Sequence, residues 1–229
     1  MRTSGVVWAA AYLAATVTVA AAESKPGAEK ILFLGNSITL HGPNPGIGWE
    51  GNWGMAASAG EKDYVHLLLR RFTEAADGKE PASLVANIAT FERQYDTFDV
   101  AAGLKKQLDF KADLVIVAIG ENTPALATEE AQEKFRKAVA RLLAALKESG
   151  AGTIVVRSCF WPNKAKDDAL KQACAEAGGV FVDIGVLSAD PGSFARSERA
   201  FQHTGVAAHP GDKGMAGIAD AIWKALAGK

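Results

Sequence analysis

Cysteine is scarce in this sequence: Cys159 and Cys174 are the only two among 229 residues. That count excludes a disulfide-dense scaffold and a multi-cysteine zinc module. Histidine is nearly as rare, with His41, His66, His203 and His209, so the search for a general base is short. Neither sign of charge predominates, since 25 Lys and Arg face 26 Asp and Glu. No basic block occurs, which argues against a nucleic-acid partner. There is no HExxH, no paired-Cys motif and no Walker-type lysine loop, so no cofactor and no metal is expected. No repeat or low-complexity linker interrupts the chain. What is plentiful is apolar: 48% of residues are hydrophobic, enough for a sizeable core, and the length suits one domain.

The N-terminus carries Arg2, an apolar run from Val6 to about Ala21, and the small residues Ala20-Ala21-Ala22 before Glu23 and Ser24. This pattern predicts a removed export signal over residues 1–22, with one domain over 23–229. A single membrane anchor is the competing reading, but the run is rich in Ala and Thr and ends in a cleavage-like site. No Cys follows it to take a lipid. The expected location is therefore secreted or periplasmic, with no stable membrane anchor after removal. Export would permit a Cys159–Cys174 disulfide; two buried thiols are the other possibility.

Five short apolar runs predict buried strands: Ile31–Leu34, Leu84–Ile88, Leu114–Ile119, Thr153–Val156 and Val180–Ile184. They are almost continuously apolar, as parallel strands covered on both faces should be. Helical spacing appears over Asp63–Ala76, Thr128–Glu148, Asp167–Ala177 and Lys213–Leu226, and more weakly over Thr97–Phe110. Thr128 followed by Glu129 and Glu130 suits a helix start. Strand–helix alternation predicts an α/β fold with a mostly parallel sheet. Ligands in such sheets bind beyond the carboxyl ends of the strands. The loops after Leu34, after Ile119 and before the last helix are thus the candidate site segments. The long stretch Gly42–Gly60 is a fourth, because loops of that length in compact domains are usually functional.

Each segment admits two readings. Ser37, in Gly35-Asn36-Ser37-Ile38-Thr39, sits where a strand turns sharply, which suits a nucleophile or merely a helix cap. Asn122, in Gly120-Glu121-Asn122, offers a carboxamide to a developing oxyanion or simply forms a turn before Thr123-Pro124. His209, in His209-Pro210-Gly211-Asp212, is a general base or an ordinary surface imidazole. His41 lies four residues after Ser37 and is close enough to reach a site there. His203 is a second candidate base, and His66 sits among apolar helix residues as a structural group. Gly46-Ile47-Gly48-Trp49-Glu50-Gly51 matches GxGxxG formally, but follows no strand and opens no helix, so it is read as loop.

Taken together, the segments resemble the SGNH (GDSL-type) hydrolase superfamily. The four positions are Ser37 in GNSIT, Gly54 in WGMAAS, Asn122 in GEN and His209 in AHP, and the resemblance runs from about Lys30 to Leu226. It implies a three-layer α/β/α flavodoxin-like sandwich with a five-stranded parallel sheet. It also implies Ser37 as nucleophile, His209 as base, and an oxyanion hole from the backbone N–H groups of Ser37 and Gly54 with the Asn122 side chain. Two positions depart from the family pattern. Asn36 replaces the Asp of the usual GDS string. Val206 stands where an Asp normally orients the histidine, three residues before it. A backbone carbonyl could hold the ring instead, or an acid such as Asp212 or Glu121 could reach it, or hydrolysis could be lost and a ligand site kept.

Trp49, Trp53 and Trp161 fall in loops expected at the same edge. They would offer flat faces to a sugar or else pack the long loop. The reading is a secreted serine ester hydrolase that removes acyl groups, acetyl foremost, from a carbohydrate, its partner being a small acylated or glycan substrate. The alternatives are a non-catalytic carbohydrate-binding relative, and a lysophospholipase or thioesterase on the same scaffold.

Overall fold

The computed structural model describes residues 26–228, together with Met1. The expected export signal therefore lies outside the described residues, Met1 apart. Five strands form one parallel sheet: β1 (Lys30–Gly35), β2 (Ala82–Asn87), β3 (Leu114–Ala118), β4 (Thr153–Arg157) and β5 (Val180–Val182). Their order is β2-β1-β3-β4-β5, which is the flavodoxin-like arrangement. Eight α-helices accompany the sheet in the described residues. These are α1 (Tyr64–Ala75), α2 (Ala89–Arg93), α3 (Val100–Gly103), α4 (Lys105–Asp109), α5 (Glu129–Glu148), α6 (Lys164–Glu176), α7 (Thr204–Ala207) and α8 (Asp212–Ala227). Among them no helix is long and apolar enough to cross a membrane.

Successive strand residues point to opposite faces, and the core divides accordingly. Leu32, Leu34, Val115 and Val117 face Phe135, Val139, Leu142 and Leu146 of α5. Ile31, Phe33 and Ile116 face Leu68 and Phe72 of α1 and Ile218 and Ile222 of α8. Each such fully buried side chain stabilises by about 2 kcal/mol, so the three layers hold together by burial on both sides of the sheet. The α5 start follows the sequence: the Thr128 hydroxyl accepts from the Ala131 N–H at 3.2 Å.

The differences from expectation lie at the edges. β2 begins two residues early and is largely exposed, because an edge strand needs no apolar run on its outer flank. β5 stops at Val182, since the Ile184 N–H donates instead to the Ser158 hydroxyl. The weak helix over Thr97–Phe110 is two short pieces, α3 and α4, meeting at Leu104. Helix α6 starts three residues before Asp167, where the Asn163 side chain accepts from the Lys166 N–H. Cys159 and Cys174 are both buried as thiols.

A third, small apolar cluster lies outside the main core. Trp49, Met55 and Ala56 of the long loop pack with Ala195 and Val206. Antiparallel bridges His41–Trp53 and Asn44–Trp49 fold the loop on itself. The loop and the segment before α8 thus share one set of contacts.

Candidate active site

The chain leaves β1 for β2 on one side and enters β3 on the other, so β1 and β3 flank the point where strand order reverses. Crevices form there, beyond the carboxyl ends of the strands. A cavity of about 600 Å³ occupies this place, lined by Ser37, Asn122, His209, His41, Arg93 and His203 among others.

Ser37 follows β1 in a turn closed by the Thr39 and Leu40 N–H groups donating to the Asn36 carbonyl. No helix follows, so Ser37 caps none. The turn is tight because residue 35 is glycine: a Cβ there would overlap the Thr39 side chain and press on the Ala118 carbonyl. The Asn36 side chain helps to shape the turn, its oxygen accepting from the Ile38 N–H at 3.1 Å.

His209 Nε2 lies 2.8 Å from Ser37 Oγ. Its Nδ1 lies 2.7 Å from the Gly205 carbonyl oxygen. A carbonyl only accepts, so Nδ1 carries the proton. Nε2 of the neutral ring is then bare and accepts the Ser37 hydroxyl proton. The orienting acceptor is a backbone carbonyl at the start of α7, not a carboxylate. Asp212 is engaged elsewhere, accepting from Ser58 and Lys62, and Glu121 faces Asn36, Arg157 and Phe160. Val206 is 1% exposed, within the third apolar cluster. Burial lowers the His209 pKa below the ordinary imidazole value, although the Gly205 hydrogen bond pulls the other way. The Trp161 ring meets the imidazole edge-on, with centroids 5.3 Å apart.

Asn122 follows β3 through Gly120, whose φ of +122° makes the sharp turn that a side chain would oppose. Its Nδ2 donates to Glu92 Oε2 at 2.8 Å, and its Oδ1 accepts from Arg93 Nη2 at 3.3 Å. Consecutive residues of α2 therefore grip opposite ends of the carboxamide. That fixes which end is nitrogen and leaves one Nδ2 hydrogen for another acceptor.

Beneath this lies a buried polar network. Asn36 Nδ2 donates to Glu92 Oε1 at 3.2 Å and to Glu121 Oε2 at 2.7 Å. Glu92 Oε1 also accepts from the Gly120 N–H at 2.5 Å and the Asn122 N–H at 3.2 Å. Glu121 Oε1 accepts from Arg157 Nη1 at 2.6 Å, both side chains being almost wholly buried. Burial works most strongly against the Glu121 charge, but Arg157 and the hydrogen bonds from the Phe160 N–H and Asn36 together outweigh it, and the pKa falls. Glu92 lacks such a cation; burial and then the neighbouring Glu121 push its pKa up. Asparagine at position 36 now has a reason. It sits between two carboxylates and donates to both, where an aspartate would add a third negative charge.

The remaining expected residues divide. Gly54 does not line the cavity, and its N–H donates to Asp63 Oδ2 at 2.9 Å. An oxyanion-hole role for that N–H is therefore corrected: the Asp63 carboxylate, which also caps α1 and holds His66, already occupies it. His41 lines the cavity, with Nδ1 donating to the Gly42 carbonyl at 2.6 Å. Trp49 and Trp53 do not present stacking faces to it. They pack edge-on with each other, their indole N–H groups donating to the His41 and Ala57 carbonyls. Trp161 supports the imidazole and is not among the cavity's lining residues. Glu92 and Arg93 were not expected. Their helix is five residues long, too short for periodicity to announce it; the one available signal was its place just after β2, at the binding edge.

A family model described as "GDSL-like Lipase/Acylhydrolase family" matches residues 33–216. No curated protein matches the chain. Among solved structures, one described as a GDSL-like lipase from Bacteroides uniformis is similar at 16% identity and TM-score 0.54, covering 88% of this chain and 96% of that one. A family two carbohydrate esterase from Cellvibrio japonicus is similar at 18% identity and TM-score 0.52, covering 86% and 60%. An acetyl xylan esterase from Butyrivibrio proteoclasticus is similar at 13% identity and TM-score 0.52, covering 86% and 63%. The chain thus spans less than two thirds of the last two. At these identities the likeness concerns the fold.

Proposed function

The chain belongs to the GDSL-like lipase/acylhydrolase family, and from that premise we propose that it is a secreted serine esterase that removes acyl groups, acetyl foremost, from a carbohydrate. The observation that carries the proposal is the Ser37 Oγ–His209 Nε2 contact of 2.8 Å inside a cavity at the sheet's switch point. The carbohydrate-esterase neighbours and the expected export signal support the substrate class and the location.

In the proposed reaction, Ser37 Oγ attacks the acyl carbon as His209 Nε2 takes its proton. The Gly205 carbonyl dipole holds the imidazolium while it forms. One Nδ2 hydrogen of Asn122 and the Ser37 N–H face the developing oxyanion. His209 then returns the proton to the leaving sugar oxygen, giving an acyl-serine. A water, deprotonated by His209, attacks that acyl group and regenerates Ser37. A carbonyl is a weaker partner for an imidazolium than a carboxylate, but it fixes the same tautomer, which is the larger part of an acceptor's work.

The test is acetate release from O-acetylated oligosaccharides by the purified protein and its Ser37→Ala variant. Release by the first and none by the second is expected. Binding of the same sugars without hydrolysis would transfer the site to a carbohydrate-binding role.

A further inference from the structure

Three described arginines, Arg93, Arg141 and Arg196, pair with no carboxylate, and of these three Arg93 is the one that lines the cavity. Arg71, Arg136, Arg157 and Arg199 each pair with a carboxylate. Arg93 is exposed and pairs with none among the described residues, although Glu92 is its neighbour in sequence. Glu92 is turned inward to Asn36, Gly120 and Asn122. The one hydrogen bond of the Arg93 guanidinium within the described residues is from Nη2 to Asn122 Oδ1. That bond fixes the cation beside the oxyanion donor while most of its five N–H groups face no protein acceptor.

The surroundings point the same way. Among the described residues no Asp or Glu lines the cavity; the ionisable lining groups are Arg93, His41, His203 and His209. His203 Nδ1 accepts from the Gly205 N–H, so Nε2 carries the ring's proton and is a further donor. The whole chain has a formal charge of −1, so this one-signed lining is local. An unpaired guanidinium in a cleft without carboxylates is a planar two-pronged anion receptor, and the field attracts anionic substrates. Thr90 adds a hydroxyl to the lining, the Asn87 carboxamide is held by the Leu40 carbonyl and the Ala89 N–H, and Ile47, Met55 and Val206 supply its apolar part.

We propose that the substrate carries a carboxylate beside the scissile ester, as in an O-acylated uronic acid residue of an acidic saccharide, and that Arg93 receives it. This rests on the esterase reading and narrows its substrate class.

The experiment compares acetate release from O-acetylated trigalacturonate and from the same compound with its carboxylates methyl-esterified. The acid form is expected to have at least a tenfold higher kcat/KM, carried by KM, and to lose that preference as salt is raised. Arg93→Gln should lower kcat/KM for the acid form at least tenfold more than for its methyl-esterified twin. Equal rates on the two in the wild type overturn the inference and leave the esterase reading standing. Equal losses in kcat on both in Arg93→Gln also overturn it, because Arg93 would then act only through Asn122. A hemisuccinate ester of a neutral sugar is the third substrate; a preference for it over the acetylated uronate moves the anion to the acyl side and overturns the uronate assignment. Calorimetric titration with unacetylated trigalacturonate separates the two readings. Binding that Arg93→Gln abolishes, without hydrolysis of any ester, supports the carboxylate site and defeats the esterase reading. Absence of both binding and hydrolysis overturns the inference.

Discussion

The two sides of the nucleophile are built from opposite materials. On the Asn122 side, orientation comes from buried charge: Glu92, Glu121, Arg157 and Asn36 form a connected polar network with the turn after β3. On the His209 side, it comes from backbone and apolar packing. One carbonyl holds the ring, and the α7 segment that presents it is anchored by Val206 in a cluster with Trp49 and Met55. The comparison teaches that an acceptor for the imidazole need not be a charge, provided something else fixes the chain that carries it. It also explains why both departures from the family pattern occur together with local repairs. Asparagine at 36 suits a place already holding two carboxylates, and valine at 206 suits an apolar pocket.

Substitutions on either side of Ser37 probe this contrast. The largest effect should come from the imidazole itself: His209→Ala should lower kcat on an aryl acetate by about 10²–10⁴-fold, measured by steady-state kinetics with folding checked by circular dichroism. Next is Asn122→Ala, expected to lower kcat by about 10²–10³-fold with little change in KM, since its amide meets charge that develops only in the transition state. Restoring the family aspartates tests the two sides against each other. Asn36→Asp removes two donated hydrogen bonds and crowds three carboxylates, so urea denaturation should show a loss of about 3 kcal/mol or more. Val206→Asp places a carboxylate among apolar side chains and should also destabilise, by at least about 2 kcal/mol; a gain in kcat without loss of stability would show that the histidine side wants a charge after all.

The smallest effect concerns pH. His209 must be neutral to act as base, and burial lowers its pKa. The acid limb of kcat/KM should therefore lie below about 6.5, with activity rising as pH increases through it. Trp161→Ala would admit water to the ring and move that limb upward, by less than about one unit.

The core was legible in the sequence because parallel strands covered on both faces leave continuous apolar runs, as β1, β3 and β4 do. Ser37, Asn122 and His209 were legible as positions for a related reason: each lies where a strand or helix boundary meets the binding edge. The edge strands were less so, because β2 is half exposed and β5 is three residues long. Glu92 and Arg93 left almost no trace. A charged residue on a five-residue helix looks like any surface charge, and only three-dimensional proximity reveals that it is buried against Asn36 and Asn122. The Gly205 carbonyl was invisible in principle, since every residue has one. The three loop tryptophans left two readings open because large aromatics serve packing and stacking equally well; for Trp49 and Trp53 the indole hydrogen bonds to the His41 and Ala57 carbonyls favour packing.

In the proposed mechanism the Ser37 hydroxyl is activated by a carbonyl-held His209. The most direct test is labelling by a fluorophosphonate, followed by peptide mass mapping of the wild type and His209→Ala. A single adduct on Ser37 is expected, formed at least about 100-fold more slowly in His209→Ala. An adduct elsewhere, or equal labelling rates in the two proteins, would contradict that mechanism.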